Sequence, residues 1–289
     1  MKILVSGSGG LLGGKFVDLI QANKISFVLY DRKHPSRLMN INFDTIIHFG
    51  GLTPQSVTQN GDNPTNQEIF EANVGGTKEL LRVLTKKDGL KRFINIGSAA
   101  EYGHHEKIIR ETTKENPQGI YGESKLKQST LIKEFGQKNN IQIVNLRLFN
   151  ILTKGRKDKN DRRTNKSITE SLGNQFSSDY YNGVIEISNK QDVRDYLDEK
   201  DAREAVLSAA KGQIKENYSV INVCSGKETS LENLVELFGR ILKKSYKIIE
   251  KNPNYSVSVG DNTKAKKVLG WKPKVNLEQS IRKIIYEKG

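Results

Sequence analysis

Three side chains in one stretch could move a proton: Ser98, Tyr121 and Lys125. Tyr121 and Lys125 lie one helical turn apart in Tyr121-Gly122-Glu123-Ser124-Lys125, so on a helix both project from one face. Ser98 closes the apolar run Phe93-Ile94-Asn95-Ile96-Gly97, which reads as a buried strand; a residue at that end can meet the pair over the sheet edge, where open α/β folds bind ligands. Such a trio suits proton exchange with a sugar or alcohol oxygen while hydride arrives at, or leaves, the carbon beneath it. A phenol with a pKa near 10 is a poor base at neutral pH, and lowering it by about three units takes about 4 kcal/mol. A lysine ammonium about 4 Å away supplies roughly that much at an effective dielectric of about 20. The serine hydroxyl would hold the reacting oxygen and share its proton. Tyrosine and lysine at this spacing also occur on ordinary surface helices, so the elements around them decide.

The first of those elements opens the chain. Lys2-Ile3-Leu4-Val5-Ser6 is a short buried-type strand, Gly7-Ser8-Gly9-Gly10-Leu11-Leu12-Gly13 follows, and a helix runs from about Leu11 to Asn23. Strand, Gly-x-x-Gly-x-x-Gly and helix form a dinucleotide site: the turn and a close pyrophosphate need residues without Cβ, and the helix N-terminus offers unpaired N–H groups. Gly7, Gly10, Leu11, Leu12 and Gly13 are the candidate contacts. A second strand, Ser26 to Tyr30, ends in Asp31, placed to accept hydrogen bonds from the adenosine ribose. Arg32 could pair with a 2′-phosphate that Asp31 would repel, so NAD is favoured and NADP stays open. The third strand, Asp44 to Gly51, arrives after only about a dozen residues, too few for a full crossover helix. A short or irregular helix is therefore expected there. His48, between apolar neighbours, reads as a core histidine.

Length and composition bound the rest. With 289 residues the chain suits one large α/β unit with a smaller appendage. Mean hydropathy of −0.59 and the lack of an apolar run of 18 residues argue against a membrane span. Met1-Lys2 leads straight into a strand, leaving no room for a signal peptide, and the lone Cys224 cannot form an internal disulfide; a cytoplasmic protein is expected. Cys224 reads as core filler. The net charge of +14 is spread along the chain, and its one dense run, Lys154 to Lys166, has no interleaved aromatics. That distribution fits a solvated surface, or attraction of an anionic small substrate, better than nucleic-acid binding. One cysteine and four scattered histidines offer no zinc cluster, and His104-His105 has no assigned role.

Beyond the third strand, helices are expected at Gln67 to Lys87 and Tyr121 to Lys138, and strands at Arg92 to Ser98 and Ile141 to Asn150. The alternation predicts a Rossmann-type, doubly wound parallel sheet with helices on both faces. After Asn150 come an amphipathic segment at Ile168 to Phe176, a strand at Val184 to Ile187 and the Arg194-Asp195-Tyr196-Leu197 segment. A helix at Asp201 to Lys211 and a strand at Val220 to Cys224 look like returns to the main sheet. Helices at Ser230 to Lys244 and Leu277 to Glu287 flank a strand at Lys247 to Glu250. The expected division is a dinucleotide-binding domain over residues 1–151, with returning segments near 188–225, and a mainly substrate-binding domain over 152–289.

With the glycine fingerprint, Ser98 and Tyr121-x-x-x-Lys125 in this order, the sequence resembles the extended short-chain dehydrogenase/reductases that act on nucleotide sugars, nearly end to end. His48-Phe49-Gly50-Gly51 resembles the family's motif beside the nicotinamide, and Asn73-Val74-Gly75-Gly76-Thr77 its next helix. The resemblance makes Phe49, Gly50, Gly51 and Asn73, with Tyr121 and Lys125, cofactor residues, and Ser98, Tyr121 and Lys125 catalytic ones. Asn150, in Arg147-Leu148-Phe149-Asn150, and Arg194 resemble contacts to a substrate diphosphate, as does Lys251, where the family commonly has arginine; Ser98 also touches substrate. Gly270-Trp271-Lys272-Pro273 is similar to the C-terminal signature. The helices at 67–87 and 121–138 pair across a two-fold axis in many relatives, which implies a homodimer.

Departures narrow the chemistry. Dehydratases of the family carry Asp-Glu after the catalytic serine or threonine, where this chain has Ala99-Ala100; the 3,5-epimerising reductases place cysteine at the position of Ala100. Hydride transfer at one carbon is left. The Ser98 to Gly103 loop, Val223-Cys224-Ser225-Gly226 and Gly270 to Ile285 look most like the GDP-6-deoxymannose reductase branch, although Ile151-Leu152-Thr153-Lys154 replaces the usual Gly-Pro after the asparagine. The leading expectation is an NAD(P)-dependent reductase of a nucleotide-linked 4-keto-6-deoxyhexose. The alternatives are a 4-epimerase that retains its NAD and, from another class, a non-catalytic nucleotide-sensing or nucleic-acid-binding protein.

Overall fold

The computed structural model describes residues 1–58, 60–85, 87–105, 108–154, 166–177 and 181–286, and of Met39 the backbone alone. Within the basic run, Arg156, Lys157, Lys159, Arg162 and Arg163 lie outside the described residues. The first half alternates β1 (Ile3–Ser6), α1 (Leu11–Ala22), β2 (Phe27–Leu29), β3 (Thr45–His48), α2 (Asn66–Phe70), α3 (Gly76–Leu84), β4 (Arg92–Ser98), α4 (Gly119–Asn139) and β5 (Gln142–Leu148). After β6 (Ile151–Leu152) come α5 (Ile168–Ser177), β7 (Val184–Ile187), β8 (Val193–Arg194), β9 (Leu197–Asp198), α6 (Glu199–Lys211) and β10 (Tyr218–Val223). The chain closes with β11 (Thr229–Ser230), α7 (Leu231–Leu242), β12 (Lys247–Glu250), β13 (Val257–Ser258), α8 (Thr263–Leu269) and α9 (Leu277–Tyr286).

Six strands form one parallel sheet in the order β2-β1-β3-β4-β5-β10, as the strict alternation predicts. The late strand β10 does return to it, beside β5. The short link between β2 and β3 is a 3₁₀ helix, Pro35–Asn40, so the β2 edge carries no full crossover helix. Arg92 fixes the far end of the returning segment by donating to the carbonyls of Ala209, Ala210 and Gly212 at the end of α6.

The two faces of the sheet differ. On the α1 and α6 side, Ile3, Val5, Ile47, Ile94, Ile96, Val144, Leu146 and Val223 pack with Phe16, Ile20, Ala205 and Leu207 into a wholly apolar core. On the α3 and α4 side, Leu4, Ile46, Phe93 and Ile143 pack under Leu80, Leu84, Ile132 and Phe135. One pleat further toward the carboxyl ends that second face turns polar: Ser6 pairs in register with His48, His48 with Asn95, and Asn95 with Asn145. All four are buried. The next row holds Gly97, Arg147 and Asn222.

A further core of Leu172, Phe176, Leu234, Phe238 and Ile281 lies beneath α5, α7 and α9. It supports a parallel pair, β7 with β12, and a three-stranded sheet in which β8 lies between β11 and β13. No helix among the described residues is long and apolar enough to cross a membrane.

Candidate active site

The glycine turn is built for close approach. Gly7 has φ +81°, and a Cβ there would lie 2.6 Å from the Gly50 nitrogen; a Cβ on Gly13 would lie 2.3 Å from the Gly7 carbonyl oxygen. These two glycines let β1, α1 and the loop after β3 converge, bringing Phe49 and Gly50 onto the turn. Gly10 caps α1 with no side-chain hydrogen bond, and a Cβ on Gly9 would meet nothing within 4 Å. The Gly10 N–H closes the turn onto the Gly7 carbonyl, while the first turn of α1 at Leu11 and Leu12 has no side-chain cap and the rim at Gly9 has room, which fits a dinucleotide pyrophosphate.

Beside the turn, Asp31 stands at the end of β2 as expected, but its carboxylate is already partnered. His34 Nδ1 lies 2.7 Å from Oδ2 and the Lys33 N–H donates to Oδ1. These contacts hold Asp31 below the usual carboxylate range. Arg32 points to Glu79 at 2.9 Å. Both polar side chains after β2 therefore have local partners in this structure.

Past β3, the expected single helix contains one π turn, Glu71–Gly75, between α2 and α3. Its Asn73 is fully buried: Oδ1 accepts from Leu52 N–H, while Nδ2 donates to the Leu52 carbonyl and to Ser124 Oγ. The wider turn leaves the Asn73 carbonyl to accept from Thr77 and Gln128. Asn73 thus ties the loop after Gly51 to α4.

Ser98 and Tyr121 meet through a side-chain hydrogen bond, and Lys125 stands one turn further along α4. Ser98 ends β4 and starts a reciprocal cap: its Oγ accepts from the Ala100 N–H, and its own N–H donates to Glu101 Oε1 at 2.9 Å. Tyr121 stands in the first turn of α4, half-exposed as a residue but with its hydroxyl end enclosed. Burial pushes the phenol above its ordinary value, a hydrogen bond with Ser98 pulls it down, and the Glu101 carboxylate pushes it up.

Lys125, expected to depress the phenol, has partners of its own. The Lys125 ammonium donates to the Ile96 carbonyl at 2.6 Å and to Gln128 Oε1, and burial brings its own pKa down to about 8, opposed by Glu101. Two of its three N–H groups are used in this way, and one remains for a cofactor ribose. His48 is the buried core histidine expected, with Ser6 and Thr77 hydroxyls at 3.1 and 3.0 Å from its ring nitrogens. Burial and the nearby ammonium lower its pKa to about 3 and keep it neutral.

Sequence reasoning missed the residues beneath the trio. Gln128 donates to the Gly50 and Asn73 carbonyls and to Thr77 Oγ1, which fixes its own carbonyl oxygen toward Lys125. Glu101 is fully buried and turned inward onto Arg147, Nε to Oε2 at 2.9 Å. The available signal was a polar residue inside each apolar strand, Asn95 and Asn145, which only a polar layer could satisfy.

On the substrate side, Asn150 donates to the Asp195 carbonyl, and Asp195 gathers the Ser225 and Gly226 N–H groups and the Ser225 hydroxyl. Arg194 is held by Ser256, through the carbonyl and Oγ at 2.7 Å each. His104 lies within the field of Arg194 and Asp192, and His105 Nε2 binds the Tyr102 carbonyl. Lys251 follows β12 of the two-stranded sheet, is exposed, and pairs with Glu186. Arg194 sits on a different sheet, so the two expected diphosphate cations are held by separate local contacts. Cys224 is buried core filler, against which Gly260 packs.

Known proteins share this fold. The chain is 25% identical to the GDP-6-deoxy-D-mannose reductase of Pseudomonas aeruginosa, covering 98% of this chain and 96% of the relative. It is 26% identical to the UDP-glucose 4-epimerase of Streptococcus mutans, covering 99% and 95%. The solved structure of RMD from Pseudomonas aeruginosa complexed with NADPH superposes with a TM-score of 0.81 at 24% identity, over 98% of this chain and 96% of that one. A UDP-glucose-4-epimerase from Stenotrophomonas maltophila with bound NAD and formylated UDP-arabinopyranose gives 0.83 at 19% identity, over 99% and 97%. These superpositions concern the fold. Residues 21–284 match the family described as GDP-mannose 4,6 dehydratase, and the chain belongs to that family of extended short-chain dehydrogenase/reductases.

Proposed function

We propose that the chain is an NAD(P)-dependent oxidoreductase of nucleotide sugars that reduces a nucleotide-linked 4-keto-6-deoxyhexose. The observation that carries this reading is a phenol hydrogen-bonded to a serine whose oxygen already accepts a main-chain N–H. Because Ser98 Oγ accepts from the Ala100 N–H, its own hydrogen is directed outward, toward Tyr121 or a substrate oxygen. A phenol, with an ordinary pKa of about 10, is protonated at neutral pH, so Tyr121 is able to donate to an oxygen that gains charge. A bound nicotinamide supplies the hydride. Lys125 and Tyr121 hold its ribose, the Gly7 to Gly13 turn holds its pyrophosphate, and Asp31 and Arg32 meet the adenosine end. Arg194 and Asn150 anchor the diphosphate, so that binding remote from the reaction fixes the sugar carbon.

The family's name refers to a dehydratase, yet Ala99 and Ala100 bring no acid or base, and the first carboxylate beyond them is spent on Arg147. Reduction is therefore preferred to loss of water. The test is loss of nicotinamide absorbance across a panel of nucleotide-linked keto-sugars with NADH and with NADPH. Turnover of a 4-keto-6-deoxyhexose supports the reading, and inertness of the whole panel defeats it. The epimerase relatives favour a second reading, a 4-epimerase, which denaturation of the purified protein would reveal by releasing bound NAD. A homodimer through α2, α3 and α4 belongs to the same proposal; it is supported by Phe70, exposed on α2 beside α4, and is checked by light scattering.

A further inference from the structure

Glu101 is the least expected residue near the trio. It ends a single 3₁₀ turn three positions after Ser98, where a carboxylate ordinarily faces water, and it is 0% exposed. Its Oε1 accepts the Ser98 N–H, and its Oε2 accepts from Ser129 Oγ, Asn145 Nδ2 and Arg147 Nε. The fit is tight: a Cβ on Gly97 would come within 2.5 Å of Oε1, so only glycine admits the carboxylate against the strand. Arg147 is sealed in place by the Tyr102 ring, 4.2 Å from its guanidinium carbon, and by Glu115 at 2.8 Å.

The charged and titratable groups facing Glu101 are Arg147 from β5, Tyr121 and Lys125 from α4, Tyr218 from β10, Tyr102 beside it in the chain, and Glu115 behind Arg147. Arg147 is its only cation in direct contact among the described residues. The field of Glu101 nevertheless reaches both Tyr121 and Lys125 and acts on each in the same sense, favouring the proton-bound form.

We propose that Glu101 is the positioning residue of the trio, its Oε1 holding the main chain of Ser98 and its Oε2 holding α4 through Ser129, so that its charge acts on both elements that carry the trio. The inference rests on the reading of Ser98, Tyr121 and Lys125 as catalytic. A purely structural ion pair would stabilise the fold and leave the titration of Lys125 unmoved. Glu101→Gln keeps size and removes charge. Glu101→Asp keeps charge and shortens the reach.

The experiment is a titration of the full chain with ¹³C-labelled lysine, the Lys125 resonance being assigned from Lys125→Arg. The wild-type midpoint of about 8 falls by roughly one unit in Glu101→Gln and is retained in Glu101→Asp. In the same Glu101→Gln protein the alkaline limb of kcat moves to lower pH while KM changes little. Should Glu101→Gln alone fail to fold, Glu101→Gln with Arg147→Met removes the pair as a unit, leaves no stranded cation, and is expected to show the same fall. A Lys125 midpoint unmoved in both neutral variants, with stability lost, overturns the proposal. If the midpoint shifts while Tyr121→Phe turns over normally, the catalytic reading fails instead, and the two failures are told apart.

Discussion

The two faces of the central sheet are made from the same strands and do different work. Along β4 and β5, alternate residues Ile94, Ile96, Val144 and Leu146 enter an apolar core, while Asn95, Asn145 and Arg147 enter the layer under α4. The apolar face depends on volume and tolerates exchange of shape. The polar row from Ser6 to Asn145 has no such tolerance, because each buried donor and acceptor costs free energy when its partner is lost. One face therefore supports the fold, and the other aims side chains at its carboxyl edge.

That contrast can be broken at its strongest point first. Tyr121→Phe is expected to lower turnover about a thousandfold, equivalent to about 4 kcal/mol of barrier, with cofactor affinity nearly intact. Steady-state kinetics beside cofactor titration checks it, and near-normal turnover would refute the acid assignment. On the opposite face, Ile94→Ala should cost roughly 3 to 4 kcal/mol of unfolding free energy in urea, leaving kcat per folded molecule unchanged. A matching loss of kcat would mean that the faces are not independent.

The next test uses proton linkage. Lys125 is almost fully buried, and its pKa is about 8 in the folded protein against 10.5 when unfolded. Between those values the unfolded chain holds one proton more, so stability rises with pH across the window. The burial cost, up to about 3 kcal/mol, is fully present below pH 8 and gone above 10.5. Melting temperatures of wild type and Lys125→Met, compared over that range, should show the wild type gaining relative to the variant. A constant difference would contradict the burial argument. The smallest effect is expected at Lys251→Ala, which breaks one exposed pair with Glu186 and should alter stability by less than about 0.5 kcal/mol. Its KM, compared with that of Arg194→Ala, tells whether Lys251 meets substrate at all.

What the sequence revealed follows the range of the interaction. β4, β7 and β12, the glycine turn, and the shared face of Tyr121 and Lys125 rest on neighbours in the chain, and the structure places them as read. The two-residue strands β8, β11 and β13 could not be read, since each exists only by pairing with segments far along the chain. The same applies to Glu101. Its surroundings in sequence look like a loop, and its burial becomes visible only when Arg147, 46 residues away, meets it. Lys251 shows the converse, a charge legible at once whose partner was not. The upward shift of Tyr121 was hidden too, because enclosure of its hydroxyl depends on how α4 seats against the end of β4.

Asn73 carries a consequence for how the cleft opens. One amide grips Leu52 on the cofactor side and Ser124 between the tyrosine and the lysine, so neither wall can loosen without releasing the other. Transient opening should then be concerted, with amide protons around Leu52 and along the start of α4 exchanging at a common rate, and anything clamping one wall would slow exchange in both.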